Sequence, residues 1–439
     1  MKMSLTQKIN SKSFNLQSGH SLRFRLFKTA FLLLFVVVIV WGISSCKKNE
    51  EAVELTFTSW RIDDVDAMNR INALFTATHP NISVNFSAED PILYDAATNG
   101  KLANGTASDI IFLWSYDKGR LLYDSGYLTD LTKIIPNLSS FPIVPLNAWS
   151  TPSGVTYGVP SVGVTHGIYY NKAIFSKYQI QEPATWTEFI AACDKLLQAG
   201  ETVIAQGAAD NSWILNRVIF CGLGANFYGG ETARQGLMNG TMKLTDSNFL
   251  DAFVAVNSLV KYMPAGYKTL GYEASKVLFA SGKAAMFIGG SWEISVLQKL
   301  GASSSTIGWF APPVKKAGDK LQYCFQLDAG IGINKNSKHS AEAIEYIKWA
   351  SGSEYATAVM TELPGFFSYT PGTSTLSNPL AQKMFNTAAT ATLTIRLMDE
   401  KFNSKSPTGD ALMNDALQGM LLGNYTPQSA AAYVQDRLK

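Results

Sequence analysis

Residues Ser108 to Leu131 read SDIIFLWSYDKGRLLYDSGYLTDL, and the first half of this stretch decides the fold. Asp109-Ile110-Ile111-Phe112-Leu113 is a short, almost wholly apolar run, the pattern of a strand buried on both faces in a parallel sheet sandwiched by helices. Where that strand leaves the sheet, the chain continues Trp114-Ser115-Tyr116-Asp117-Lys118-Gly119, crowding an indole, a phenol, a hydroxyl, a carboxylate and an ammonium together. Open α/β sheets take ligands beyond the carboxyl ends of their strands. Aromatic faces beside a few convergent polar groups suit a sugar, whose C–H face stacks on an indole while its hydroxyls exchange hydrogen bonds. Leu121, Leu122 and Tyr123 then continue as a helix closed at Gly126. The competing reading makes Trp114 ordinary core and Asp117 and Lys118 a solvated pair.

Working outward, residues 54–60 alternate polar and apolar and predict a first strand with Trp60 at its exit. Asp63 and Asp64 precede Met68, Ile71, Leu74 and Phe75, the spacing of an amphipathic helix with acids at its N-terminus. Residues 82–86 alternate again, and a second helix is expected over 93–103. The order β-α-β-α-β predicts an open, mainly parallel sheet. After a connection with Pro136, Pro142, Pro145 and Pro152, residues 157–172 form an extended, glycine-punctuated segment that suits a crossing between lobes. Thr185 and Glu188 have capping-box spacing. Further helices are expected at 212–221, 248–262 and 273–280, and 281–292 reads as turn, short strand and a loop holding Trp292. Residues 307–313 read as another strand meeting a proline stop at Pro312-Pro313, and 324–333 as a second crossing. Ser340 is expected to cap a helix to 351, and three more helices are expected at 379–387, 411–422 and 427–438.

The first 45 residues carry Lys2, Lys8, Lys12, Arg23, Arg25 and Lys28 without an acid, followed by the apolar run 30–43. This is the make-up of a secretory signal, and the run is short of the ~20 residues of a membrane span. Ile43-Ser44-Ser45-Cys46 resembles the lipobox of bacterial lipoproteins, whose cysteine becomes the lipidated first residue. The whole chain has 37 Lys+Arg against 34 Asp+Glu; without the six bases of the leader it has 31 against 34, a net charge of −3. That leaves no basic footprint for nucleic acid. Cys193, Cys221 and Cys324 are far apart, form no metal-ligand pattern, and read as small buried hydrophobes with one disulfide possible.

The search for catalytic chemistry finds little. Only four histidines are present, and no nucleophile elbow, Walker loop, H-E-x-x-H or G-x-G-x-x-G after a strand occurs. A glycosidase would need two carboxylates facing across a cleft, which a sequence does not exclude. The expectation is a receptor without a cofactor, metal or catalytic residue.

From about residue 54 onward the chain resembles the extracellular solute-binding proteins of ABC importers, in particular the sugar-binding family that includes maltose-binding protein. The resemblance rests on Ser108-Asp109-Ile110-Ile111-Phe112 with Trp114, Asp117-Lys118 and Ser125-Gly126-Tyr127-Leu128. It rests equally on Tyr157-Gly158-Val159-Pro160, Tyr170-Asn171-Lys172 and Pro183-x-Thr185-Trp186-x-Glu188, and on Phe279-x-x-Gly282-Lys283-Ala284-Ala285-Met286 with Gly290-Ser291-Trp292. Lys118 stands where the family has arginine, and Trp114 lies one place later.

The resemblance implies two α/β lobes, each a mainly parallel sheet flanked by helices, joined by hinge strands around a bound sugar. Residues 54–160 and 328–370 would form the N-terminal lobe and 166–323 and 371–439 the C-terminal lobe. The crossings would lie at 161–165 and 324–327, behind a signal peptide (1–45) and a lipid-anchored tether (46–53). By the resemblance the ligand contacts are Trp60, Asp64, Trp114, Asp117, Lys118, Trp213 and Trp292; Asp328 in the returning strand and Phe366 in a Pro-Gly loop are added from their positions. The implied protein is an exported monomer, tethered to a bacterial membrane through Cys46 and facing the periplasm or cell exterior. It would deliver a mono- or oligosaccharide to the transmembrane subunits of a permease. A non-sugar solute such as a polyamine or an anion, and an extracellular carbohydrate-active enzyme, are the rivals. Loss of Trp292 is expected to weaken sugar binding well over tenfold with little change in melting temperature.

Overall fold

The computed structural model describes residues 51–209, 213–372 and 376–438. In β1 (Val53–Ser59) Leu55 and Phe57 are buried while Glu54 and Thr56 face solvent, the alternation its sequence predicts. β1 pairs in parallel with β2 (Ile82–Ala88) on one side and β3 (Ile110–Leu113) on the other. All four residues of β3 are buried. The connecting helices are Val65–Thr78, which buries Met68, Ile71 and Phe75 on one face, and Tyr94–Ala103. Asp109 staples this sheet. Its Oδ2 accepts from the backbone N–H and hydroxyl of Thr56 at 2.9 and 2.8 Å, and its Oδ1 accepts from Ser337 at 2.6 Å. Burial works against that charge, but the bonds from Ser337 and Thr56 prevail and hold the carboxyl below its ordinary pKa.

Two long strands tie this sheet to a second set. β4 (Val159–Asn171) pairs through 159–165 with β7 (Gln322–Ile333), and β7 pairs with β3, both antiparallel. From His166 onward β4 leaves β7 and pairs with β5 (Met286–Gly290) and β6 (Ile307–Phe310), again antiparallel. The ladder order is β2-β1-β3-β7-β4-β5. The β2-β1-β3 ladders are parallel, and β7 also pairs in parallel with the short strand Thr392–Thr394. In the second set β4 runs opposite to β5 and β6, while the segment at Ile204 pairs in parallel with Met286 of β5.

Several local expectations meet specific physical outcomes. Thr185 and Glu188 form the capping box at the head of the helix Trp186–Gln198. Gly126 takes φ +80° just past the helix Asp117–Asp124, a conformation glycine adopts without strain. Ser340 does not cap its helix: it occupies the first position of Ser340–Ala350, and its hydroxyl donates to the Ser337 carbonyl at 2.8 Å. The proline-rich connection contains a short helix, Ile143–Ala148, because Pro145 falls in the first turn, where no N–H donor is required. The helix expected over 212–221 starts outside the described residues; Leu215–Phe220 winds as a π-helix and continues as the α-helix Cys221–Tyr228. Cys193, Cys221 and Cys324 are buried and free, so no disulfide joins them. The leader and Cys46 lie outside the described residues. Among the described residues no helix is long and apolar enough to cross a membrane.

Candidate functional site

The carboxyl ends of β1, β2 and β3 point to one side, and the loops beyond them form the near wall of a cleft of about 380 Å³. Trp60 and Arg61 follow β1, Asp90 and Pro91 follow β2, and Trp114 follows β3. Trp60 lies flat on Trp114, with ring centroids 3.6 Å apart and planes 16° from parallel. Trp114 is fixed further by its indole N–H, which donates to Asp95 Oδ1 at 2.8 Å. The other oxygen of Asp95 holds Lys118 Nζ at 2.8 Å, so one carboxylate on the helix Tyr94–Ala103 aligns two side chains of the next loop. The chain turns sharply at Tyr116, where φ is +57°.

The far wall comes from the second strand set. Trp292, just beyond β5, stands 6.0 Å from Trp213 with planes at 46°, and Trp213 meets Tyr272 edge-on at 5.9 Å. Behind Trp292 the imidazole of His166 packs edge-on at 5.5 Å. His166 is fully buried, and burial, with Arg396 nearby, pushes its pKa down to about 3, so the ring is neutral. Tyr272 and Lys276 lie on the helix Tyr272–Ala280, and Glu293 begins the helix Glu293–Lys299.

Charged groups make up the floor. Arg61 donates through Nε to Asp64 Oδ2 at 2.6 Å, and its guanidinium carbon lies 4.4 Å from the ring centre of Phe366. Burial alone would lower the pKa of Arg61; Asp64, Asp328 and Glu293 around it raise it instead. Glu293 accepts from the Tyr272 hydroxyl at 2.5 Å and lies 3.6 Å from Lys276, which also pairs with Glu273 at 2.7 Å. Burial raises the pKa of Glu293 against the pull of Lys276. Asp328, on β7, stands 3.8 Å from Arg396 Nη2. Asp328 Oδ2, Glu293 Oε2 and Arg396 Nε are buried without a hydrogen-bond partner among the described residues, and all three residues line the cleft. Buried polar atoms left open in this way suit a ligand that exchanges hydrogen bonds.

A second, far smaller chamber of about 10 Å³ adjoins the cleft and shares Trp114, Arg217 and Arg396 with it. Asp117, Lys118, Asp399 and Glu400 are among its lining residues. Arg217 is carried on the π-helix, donates through Nε to Asp410 at 2.9 Å, and sets its guanidinium carbon 5.2 Å from the centre of the Trp114 ring. Burial raises the carboxyl pKa of Asp117 to about 6.

A cleft at the strand ends between two sheets threaded by β4 and β7 matches a sequence-defined family. The model for bacterial extracellular solute-binding proteins aligns with residues 61–357, the greater part of the chain. The chain belongs to that family. Among curated relatives, the multiple sugar-binding protein of Streptococcus mutans is 28% identical over 198 residues, 44% of this chain and 46% of that protein. The chain thus spans about half the length of that relative. The mannitol-binding protein of Pseudomonas aeruginosa is 24% identical over 337 residues, 73% of this chain and 74% of that protein. Among solved structures, a chitin oligosaccharide binding protein superposes with a TM-score of 0.76 at 22% identity, covering 88% of this chain and 98% of the other. RafE in complex with raffinose gives a TM-score of 0.73 at 19% identity, covering 88% and 98%. The shared architecture is the two-lobed α/β fold of solute-binding proteins.

Against that fold the nine residues singled out from the sequence fall into three places. Trp60, Trp114, Trp213, Trp292 and Asp328 line the main cleft of this solute-binding protein. Asp117 and Lys118 line the side chamber. Asp64 and Phe366 lie behind the wall, around a void of about 20 Å³, and contact Arg61 rather than the cleft. The sequence reading missed Arg61, Arg217, Lys276, Glu293 and Arg396. Arg61 and Glu293 are each adjacent to a tryptophan at a strand exit, a signal that was available. Arg217 and Arg396 enter through tertiary packing alone.

Proposed function

We infer that this chain is the substrate-binding lipoprotein of an ABC importer, capturing a neutral mono- or oligosaccharide between its lobes and delivering it to permease transmembrane subunits. The supporting observation is that every cation lining the cleft already has a carboxylate beside it: Arg61 has Asp64, Lys276 has Glu273 and Glu293, Arg217 has Asp410, and Arg396 has Asp328. An anionic ligand therefore meets no uncommitted positive charge. A polyamine would compete with Lys276 and Arg396 for Glu273, Glu293 and Asp328. A neutral polyol suits walls of four indoles over a floor with open donors and acceptors.

In this reading Trp213 and Trp292 stack on a sugar ring, and Asp328, Glu293 and Arg396 exchange hydrogen bonds with its hydroxyls. Asp64 and Phe366 orient Arg61, while Asp117 and Lys118 serve the side chamber. The lobes are 54–160 with 328–370 and 166–323 with 371–439, and they move about the crossings at 161–165 and 324–327. The mature protein is a monomer, begins at a lipidated Cys46, faces the periplasm or cell exterior, and breaks no bond in its ligand.

A thermal-shift panel of neutral saccharides, spermidine and inorganic phosphate tests the reading. A true ligand at a hundred times its Kd adds about 2.7 kcal/mol of stability. The expected outcome is a rise in Tm with one or more saccharides alone; a rise with spermidine or phosphate and none with any saccharide overturns it.

A further inference from the structure

The ring of Trp114 has both faces occupied by the protein itself. Trp60 covers one at 3.6 Å, and the guanidinium of Arg217 stands over the ring at 5.2 Å, with Lys118 Nζ 5.5 Å from the same centre. Arg217 is not a loose surface side chain. It is mostly buried, and Asp410 takes both its Nε and an Nη, while Asp410 itself is secured by Asn216 at 2.8 Å. A cation so held over an indole is desolvated, the condition in which cation–π attraction is strongest.

The position of Arg217 matters because of what lies on either side of it. On one side is the cavity of about 380 Å³, near the lower end of the ~300–1,000 Å³ range of small-molecule sites. On the other is the chamber of about 10 Å³, room for a single water at most. Trp114, Arg217 and Arg396 are common to both. The small chamber is nonetheless equipped for a polar ligand: Asp117 Oδ2 has no hydrogen-bond partner, and Asp399 is almost fully buried with its carboxylate accepting from Gln326 at 2.5 Å.

Building on the saccharide reading above, we propose that Arg217 is a length-selecting residue: lodged on Trp114, it divides one extended groove into a main site for a short saccharide and a closed subsite that a further sugar ring would otherwise occupy. With Arg217 in place the ligand is limited to one or two rings. With the guanidinium removed, Lys118 stays tied to Asp95 near the ring, the part of the Trp114 face that Arg217 covered becomes a stacking platform, and Asp117 and Asp399 come within reach of the hydroxyls of the added ring. The recognition chemistry of the subsite is that of the main site, an aromatic face with carboxylate acceptors.

The test uses calorimetric titration of the soluble mature chain with gluco-, xylo- and chito-oligosaccharides of one to four rings. Arg217→Ala leaves Asp410 buried and unpaired, so the double variant R217A/D410N is measured beside it, with circular dichroism to establish folding. The wild-type protein is expected to bind one- or two-ring members of a series at least tenfold more tightly than three- and four-ring members. In the variants the ratio of those affinities shifts by at least tenfold toward the longer chains. Acrylamide quenching of tryptophan fluorescence, a readout independent of ligand, is expected to rise in both variants as Trp114 is uncovered. A wild-type preference for three or four rings overturns the proposal, as does an unchanged length profile in folded variants. If no saccharide binds any of the three proteins, the saccharide reading falls and the length selection falls with it.

Discussion

The guanidinium of Arg61 rests on the ring of Phe366, carbon to centroid 4.4 Å, while its Nε is bound to Asp64 at 2.6 Å. Asp64 and Phe366 thus reach the cleft only through Arg61. Phe366→Leu removes a cation–π contact of about 0.5–2 kcal/mol and is expected to weaken ligand binding a few-fold. Asp64→Asn takes from Arg61 its hydrogen-bonded carboxylate, leaving Asp328 and Glu293 as more distant counter-charges, and is expected to cost more, about tenfold in affinity together with a lowered Tm. Calorimetric titration and scanning calorimetry check both; combined with Arg61→Ala neither substitution should lose further affinity, whereas a side chain that bound ligand directly would add its loss to that of Arg61→Ala.

Trp292 is 5% exposed and packs on His166 and Trp213, so it is part of the core as well as of the cleft. The expectation that its loss spares stability is corrected by that burial: large-to-small changes of buried tryptophan cost about 3–5 kcal/mol. Trp292→Ala is therefore predicted to lower Tm and saccharide affinity together. A gentler probe is Gly290→Ala, whose added Cβ would fall 2.0 Å from the Trp292 ring and push the indole out of place. The variant should stay folded, with overpacking costing about 1–3 kcal/mol, and lose at least fivefold in affinity by titration.

These residues show how far the sequence carries the fold and the site. β3 with its aromatic exit, the capping box at Thr185 and the crossing strands were legible because each is written in a contiguous run whose period or turn chemistry has one good structural solution. The loop containing Asp64 was legible too, but not which of its side chains faces the ligand. The 3₁₀ turn Ile62–Asp64 directs Asp64 inward and leaves Arg61 on the cleft side. Arg396 and Arg217 carried no local signal. One is placed by a segment following the strand Thr392–Thr394, the other by a π-helix packed on the helix Gly409–Leu421, and both depend on contacts remote in the chain.

Asp117 offers a test by pH. Burial pushes its pKa up to about 6, with Glu400 and Asp399 adding to the rise and Ser404 and Arg120 opposing it. A carboxyl whose pKa is higher folded than unfolded takes up more protons in the folded state between about pH 4 and pH 6, so its contribution to stability falls as pH rises through that window. Asp117→Asn is accordingly expected to raise Tm relative to the wild type above about pH 6 and to match it near pH 4. A variant less stable than wild type at neutral pH would show instead that the ionised carboxylate is held by favourable contacts.

Asp328 and Arg396 face each other at 3.8 Å, too far for a hydrogen bond, and each keeps a buried polar atom without a partner. A hydroxyl set between or beside them can accept from one and donate to the other, and hydrogen bonds to charged groups contribute about 1.5–3 kcal/mol. At about 1.4 kcal/mol per tenfold, Asp328→Asn should weaken saccharide binding by roughly ten- to a hundredfold. The same substitution takes from Arg396 the carboxylate it is paired with and leaves it facing Asp399 and Asp410, so part of the loss is expected as lower stability. The double variant D328N/R396Q removes both charges and should recover most of that stability while recovering none of the affinity. Titration and scanning calorimetry on the three proteins separate the two effects: recovery of affinity in the double variant would mean that the pair serves the fold and not the ligand.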